Sequence, residues 1–197
     1  MSCSIGILLF DGAEELDWAG PWEVLAGLSQ SKPELRVVTV AERAQPIRCA
    51  KGLRVLPDVD FESAPPFDVI LVPGGIGTRS EVDNPVLIEW LRKVGAGCSW
   101  VTSVCTGALL LHEAGFARGK RVTTHWTFTD ALEARGDVTV LRGPRWVRDG
   151  NLVTAAGVSA GIDMALWLVG QLYDPDTARS VQRYIEYDPA PPYQAEV

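Results

Sequence analysis

The feature that most constrains the fold is a recurrence. Short, nearly all-apolar runs end in turn residues and are followed by segments with helical spacing. Such runs are at Ser4–Phe10, Leu35–Val40, Phe67–Val72 and Ser99–Val104. Strands apolar along their whole length are buried on both faces, and strands that alternate with helices pair in parallel. The expected fold is therefore α/β, a single domain over residues 1–197 with a mostly parallel sheet and helices on both faces. Helices are expected at Pro21–Leu28, Pro85–Gly95, Ala108–Ala114, Phe128–Arg135, Val158–Tyr173 and Pro175–Tyr184. Pro46–Phe61 reads as a hairpin-like excursion with Lys51-Gly52 between two short extended pieces. Arg121–Thr124 and Val138–Leu141 are further extended pieces. Asp149-Gly150 is a strong hairpin turn between Trp146–Arg148 and Leu152–Ala155. The prolines clustered at 189, 191 and 192 mark a tail of more disordered character.

Composition narrows the function classes. The chain has 25 acidic and 18 basic side chains, for a net charge of -7, and no run of clustered Lys and Arg. That argues against a nucleic-acid partner, whose phosphates call for a basic patch. The longest apolar stretches are too short to cross a bilayer, and the start lacks the basic region of a secretory signal. No membrane association is expected, and a cytoplasmic enzyme is the expectation. The four cysteines do not form a disulfide framework, and they do not pair with the two histidines at metal-site spacing.

The sharpest local pattern is WVTSVCTGALLL. A strand delivers the chain to Cys105, and a helix begins at once with small residues at Gly107 and Ala108. The free amides of a first helical turn favour thiolate over thiol and can stabilise negative charge on a substrate. The alternative is a buried structural cysteine, the better reading for Cys3, Cys49 and Cys98. The loop Pro73–Gly77 follows another strand, where ligands of open α/β sheets bind, and its glycines can present amides. It matches neither a dinucleotide fingerprint nor a phosphate-binding P-loop. A third pattern, GAEELDWAGP, places Glu14, Glu15 and Asp17 just after the first strand. A carboxyl beside a thiolate has its pKa raised and can carry a proton at neutral pH. Helix capping or solvation is the competing reading, favoured for Glu14. His125 follows a strand and can join the same edge, although a lone histidine is more often structural; His112 has no role.

Taken in order, the acidic loop, PGG, SVCTGA, RVTTHW and GVSAGIDMAL resemble the ThiJ/PfpI superfamily over nearly the whole chain. The resemblance implies a flavodoxin-like fold of the class I glutamine amidotransferase type, with a nucleophile elbow at Cys105. It implies that Asp17 is the protonated acid against the cysteine, with Glu15 in a neighbouring position. Oxyanion-binding amides would map onto the Gly75 loop and onto Thr106 or Gly107. Within the superfamily, ILLFDGAEELDWAGPWEVL and RYIEYDPAPPY resemble the isocyanide-hydrating branch. That implies a small-molecule isocyanide substrate converted to an N-substituted formamide, no metal or organic cofactor, and a homodimer. Cys105 would be the nucleophile, Asp17 the acid and base, and Thr106 an orienting donor. Trp18, Ile76 and Trp126 are candidate pocket residues. The peptidase-like members have histidine after the cysteine where this chain has Thr106, which removes the nearest base for proteolysis. Arabinose-operon-type regulators carry such a domain ahead of a DNA-binding module, and none follows here before Val197. A glyoxalase-like conversion of small carbonyl compounds remains open. So does a non-enzymatic sensor in which Cys105 is oxidised to a sulfinic acid.

Overall fold

The computed structural model describes residues 3–29 and 31–188, so the proline-containing tail lies outside the described residues. In chain order the elements begin with β1 (Cys3–Leu8), α1 (Glu15–Ser29), β2 (Leu35–Ala41), β3 (Ile47–Arg48), β4 (Arg54–Val55), β5 (Val59–Asp60) and β6 (Val69–Val72). Next come α2 (Thr78–Glu81), α3 (Pro85–Gly97), β7 (Trp100–Val104), α4 (Gly107–Glu113) and β8 (Arg121–Val122). A 3-10 turn over Trp126–Phe128 leads into α5 (Thr129–Glu133). The chain continues through β9 (Thr139–Val140), β10 (Trp146–Asp149), β11 (Leu152–Ala155), α6 (Ala160–Leu172) and α7 (Pro175–Tyr184).

Seven strands form one sheet in the order β10-β11-β7-β6-β1-β2-β5, parallel except for the antiparallel edge strand β10. Helices cover both faces. Val24, Leu25 and Leu28 of α1 pack with Ala165, Leu168 and Val169 of α6 against Ile5 and Val69. Leu87 and Leu91 of α3 and Leu110 and Leu111 of α4 lie with Ile70 and Val101 in the other core. Each fully buried Leu or Ile contributes roughly 1.5–3 kcal/mol relative to exposure, which is why the all-apolar strand runs were so informative. β3 and β4 form the expected hairpin. The rest of that excursion, β5, joins the main sheet beside β2 instead. β8 and β9 pair with each other in parallel, outside the main sheet.

One helix differs from expectation in a way that matters for the site. Proline is favoured at a helix start, which put the beginning of α1 at Pro21. The helix instead begins at Glu15, with Pro21 in its interior. An interior proline costs about 3 kcal/mol because it lacks the N–H for the carbonyl four residues back, here that of Asp17. Close packing offsets this: a Cβ on Gly161 of α6 would lie 3.1 Å from the Pro21 ring, and one on Gly20 would lie 2.9 Å from Ile162. The earlier start moves Asp17 from a loop into the first turn of the helix.

Candidate active site

The strand order reverses at β1: β2 and β5 lie on one side, and β6, β7 and β11 on the other. Ligands of open α/β sheets bind outside the carboxyl ends of the strands at such a switch point. Three segments converge there, the turn and α1 after β1, the glycine loop after β6, and Cys105 after β7. An isolated bridge between Ala13 and Gly75 ties the first two together, with the Glu14 amide donating to the Gly74 carbonyl at 2.9 Å.

Cys105 has φ of 55°, a left-handed conformation that costs a non-glycine residue of order 1–3 kcal/mol. Its neighbours hold it there. The Cys105 amide donates to the Ala155 carbonyl at 3.1 Å, and its carbonyl accepts from Thr124 Oγ1 at 2.7 Å. The side chain is buried, and Asp17 and Thr106 are the neighbours that act on its thiol. Gly74 permits this close approach, since a Cβ there would lie 2.8 Å from the Cys105 Cβ and 2.5 Å from the Thr106 amide nitrogen.

Asp17 is completely buried. Its Oδ2 accepts from the Gly74 amide at 2.9 Å and its Oδ1 from the Val158 amide at 3.0 Å. Val158 also has positive φ, 48°, in the turn before α6. Burial pushes the Asp17 carboxyl up from its ordinary 3.8 to about 6, against the two amides and the cysteine hydrogen bond that favour the carboxylate. Burial, then the charge of Asp17, pushes the Cys105 thiol up to about 12, against the Thr106 hydrogen bonds. The expectation that helix-end amides would make this an acidic thiol is thus corrected: desolvation outweighs them. Both groups favour their protonated forms, so the pair retains a proton through neutral pH.

This has a thermodynamic consequence. Between about pH 4 and pH 6 the folded protein holds the Asp17 proton while the unfolded chain has released it. Stability therefore falls as pH rises through that window, by roughly 3 kcal/mol in all, with no further loss from this group above it. Urea unfolding at pH 4 and pH 7 measures it. Wild type should lose that stability relative to Asp17→Asn, and parallel pH profiles would contradict the assignment.

The other expected residues divide. Thr106 Oγ1 takes the Gly75 amide at 3.1 Å, so that amide already has a protein acceptor and the Gly75 oxyanion expectation is corrected accordingly. The hydroxyl of Thr106, the expected orienting donor, meets Thr78 Oγ1 at 3.0 Å and Arg79 Nη1 at 3.4 Å. Gly107 is where α4 meets β6, since a Cβ would lie 2.2 Å from the Val72 carbonyl oxygen. Glu15 does not join the cysteine: its Oε1 accepts from the Lys51 amide at 2.7 Å and fastens the β3–β4 hairpin. Glu14 pairs with Lys51. Trp18 is a core residue with Cys49 and Phe10, which corrects its assignment to the pocket. Ile76 is 64% exposed on the glycine loop. His125 caps the 3-10 turn through Thr127, and with the 78% exposed Trp126 it lines a cavity of about 310 Å³ that also includes Thr124, Arg145 and Gly157. That cavity adjoins the elbow through Thr124, but neither Cys105 nor Asp17 lines it. His112 is engaged elsewhere, by Asp137 and by Arg135 at 2.8 Å. The remaining cysteines are free thiols; Cys98 lies 3.3 Å from the carbonyls of both Phe67 and Val94, a structural role.

The sequence reading missed Thr78, Arg79, Thr124 and Val158. Only the last had a local signal, the glycine before it at the start of an apolar helix. No cluster of three or more potential metal-ligating side chains is found among the described residues, and none of their helices is long and apolar enough to cross a membrane.

Known proteins share this fold. The isonitrile hydratase of Pseudomonas putida is 43% identical over 195 residues, 99% of this chain and 83% of that protein. The glutathione-independent glyoxalase DJR-1.2 of Caenorhabditis elegans is 28% identical over 177 residues, 87% of this chain and 89% of that protein. The crystal structure of a ThiJ/PfpI family protein from Pseudomonas syringae superposes with a TM-score of 0.91 at 33% identity, covering 100% of this chain and 80% of that one. The DJ-1/PfpI family model matches residues 3–171, and with the sheet order and elbow described above this establishes that the chain belongs to the DJ-1/PfpI family.

Proposed function

We propose that this protein hydrates an isocyanide to an N-substituted formamide, with Cys105 as nucleophile and Asp17 as general acid and base. The observation that carries the reading is the buried pairing of Cys105 with Asp17, in a chain 43% identical to an isonitrile hydratase along nearly its whole length. The reaction places an oxygen and a hydrogen on the terminal carbon and a hydrogen on the nitrogen, so the site must supply a nucleophile and deliver protons to both atoms. As the Cys105 sulfur bonds to the terminal carbon of R-NC, its proton passes to Asp17 and from there to the carbon, leaving the thioimidate R-N=CH-S-Cys. Asp17, now a carboxylate, takes a proton from water as the oxygen adds to that carbon and passes it to the nitrogen, giving the adduct R-NH-CH(OH)-S-Cys. Collapse of the adduct breaks the carbon–sulfur bond, releases R-NH-CHO and returns the hydroxyl proton, through Asp17, to the sulfur. Sulfur carries negative charge as it attacks and again as it departs, and the Thr106 backbone amide is the proposed donor that stabilises it.

No metal or organic cofactor enters this scheme. A homodimer in the cytoplasm belongs to the same proposal, and the exposed Ile76 and Trp126 offer apolar surface for a second copy. Incubation with a simple hydrophobic isocyanide, with methylglyoxal tested on the same preparation, is the direct experiment. Formamide is expected and methylglyoxal should persist. Methylglyoxal consumption without formamide would replace this proposal with a glyoxalase-like reaction, and inertness toward both would favour a sensor.

A further inference from the structure

Val158 holds one side of Asp17 from a strained backbone. Its amide donates to Asp17 Oδ1 at 3.0 Å while its φ is 48°. That left-handed conformation is an outlier for a β-branched residue, and such strain persists only where the surroundings over-determine it. Bonds within the turn are not enough. The Ala160 amide donates to the Gly157 carbonyl at 3.0 Å and the Gly161 amide to the Val158 carbonyl at 3.3 Å, so each spans only three residues. They shape the turn without fixing it to the rest of the molecule. Packing of Gly161 near the Pro21 ring seats the helix that follows, but apolar contact is non-directional and sets no hydrogen-bond geometry at Val158.

One residue grips the chain on both sides of Val158. Arg145, just before the edge strand β10, accepts from the Ala156 amide at 2.8 Å through its own carbonyl. Its guanidinium crosses to the start of α6. There Nε donates to Asp163 Oδ2 at 2.7 Å, Nη2 reaches the same oxygen, and Nη2 also donates to Ser159 Oγ at 3.2 Å. The other Asp163 oxygen, Oδ1, accepts from the Tyr187 hydroxyl at 3.0 Å. These contacts come from 14 and 18 residues upstream, so they tie the turn to a different part of the fold.

We propose that Arg145 is a positioning residue that clamps the strained turn through Ser159 and Asp163 and so keeps the Val158 amide on the Asp17 carboxyl. In the proposed reaction Asp17 passes on a proton, and this amide favours the carboxylate that the transfer leaves. The inference rests on Asp17 as the proton carrier, but not on which substrate is attacked. Among the described residues, Asp17 is faced by the Gly74 amide of the glycine loop, the Val158 amide before α6 and Cys105 after β7, the last being ionisable. Arg145 and Asp163 are the charged pair of the clamp.

The test reads Asp17 directly, as the pH titration of its carboxyl carbon by NMR in the full chain labelled with carbon-13 aspartate, without substrate. Loss of the signal in Asp17→Asn identifies it. The Arg145 side chain is half-exposed, so its replacement leaves the core intact. A hydrogen bond to a carboxylate favours the charged form, so Arg145→Met is expected to move the Asp17 midpoint up by about half to one pH unit. Removing a cation would also raise the midpoint through space, and Asp163→Ala separates the two causes. Removing an anion acts through space to lower the midpoint, whereas releasing the clamp raises it. Asp163→Ala is therefore expected to move the midpoint up, as Arg145→Met does. An unmoved midpoint in Arg145→Met overturns the proposal, as does an unmoved or lowered one in Asp163→Ala. Failure of isocyanide turnover would leave these expectations standing, so the two readings fail separately.

Discussion

Formamide formation is expected to vanish in Cys105→Ala and to fall by about 10²–10⁴-fold in Asp17→Asn. The first removes the atom that bonds to the isocyanide carbon. The second keeps the shape of the side chain but removes its ability to exchange a proton with that carbon and with water. Asparagine at 17 presents one carbonyl oxygen and one amide to surroundings that offer donors on both sides, Gly74 at 2.9 Å and Val158 at 3.0 Å. One of those backbone amides will face the NH₂ group, so some loss of stability at neutral pH is expected, partly compensated because no buried carboxylate has to ionise. Steady-state kinetics with matched unfolding curves separates chemistry from folding. The loss should lie in kcat, since the substrate makes its interaction with the proton carrier chiefly in the transition state. Turnover in Asp17→Asn within a few-fold of wild type would remove Asp17 from the proposed mechanism.

The second large effect is structural. Gly107→Ala is expected to destabilise the fold by more than about 3 kcal/mol, measured as a drop in the midpoint of thermal or urea unfolding. Its Cβ would come within 2.2 Å of the Val72 carbonyl oxygen and 2.8 Å of that of Pro73. Both are backbone atoms, and those of Val72 belong to a central strand, so neither can give way as a flexible side chain would. The nearest relief is to lift the start of α4 away from β6, which would also displace Cys105 and Thr106 just before it. Gly115→Ala provides a contrast. That glycine has nothing within 4 Å of its would-be Cβ, so its cost is confined to its φ of 96°.

The strand runs carried the fold in their composition. Val69–Val72 and Val101–Val104 are buried at every position, a demand that only a sheet covered on both faces meets. Cys105 was legible for a local reason as well: a strand, a cysteine and small residues opening a helix describe a strained turn within a dozen residues. Asp17 emerged from its proximity to the first strand and from the family resemblance. Its first two oxygen partners, however, come from 57 and 141 residues away. No local pattern carries separations of that kind.

What the sequence determined by itself, then, was what is encoded locally: which segments are strands, where the elbow falls, and that its flanking residues are small. Tertiary structure alone decided the rest, because each remaining property is a balance among groups distant in the chain. The tertiary fold starts α1 at Glu15, with Pro21 packed inside it against Gly161, and so places Asp17 buried in the first turn. Burial, rather than the helix-end amides, settled the protonation of the Cys105–Asp17 pair. Glu15 and Asp17, two residues apart, were equivalent as carboxylates in the sequence. Their side chains leave α1 in directions about 200° apart at 100° per residue, which sends Glu15 to the β3–β4 hairpin and Asp17 to the sulfur.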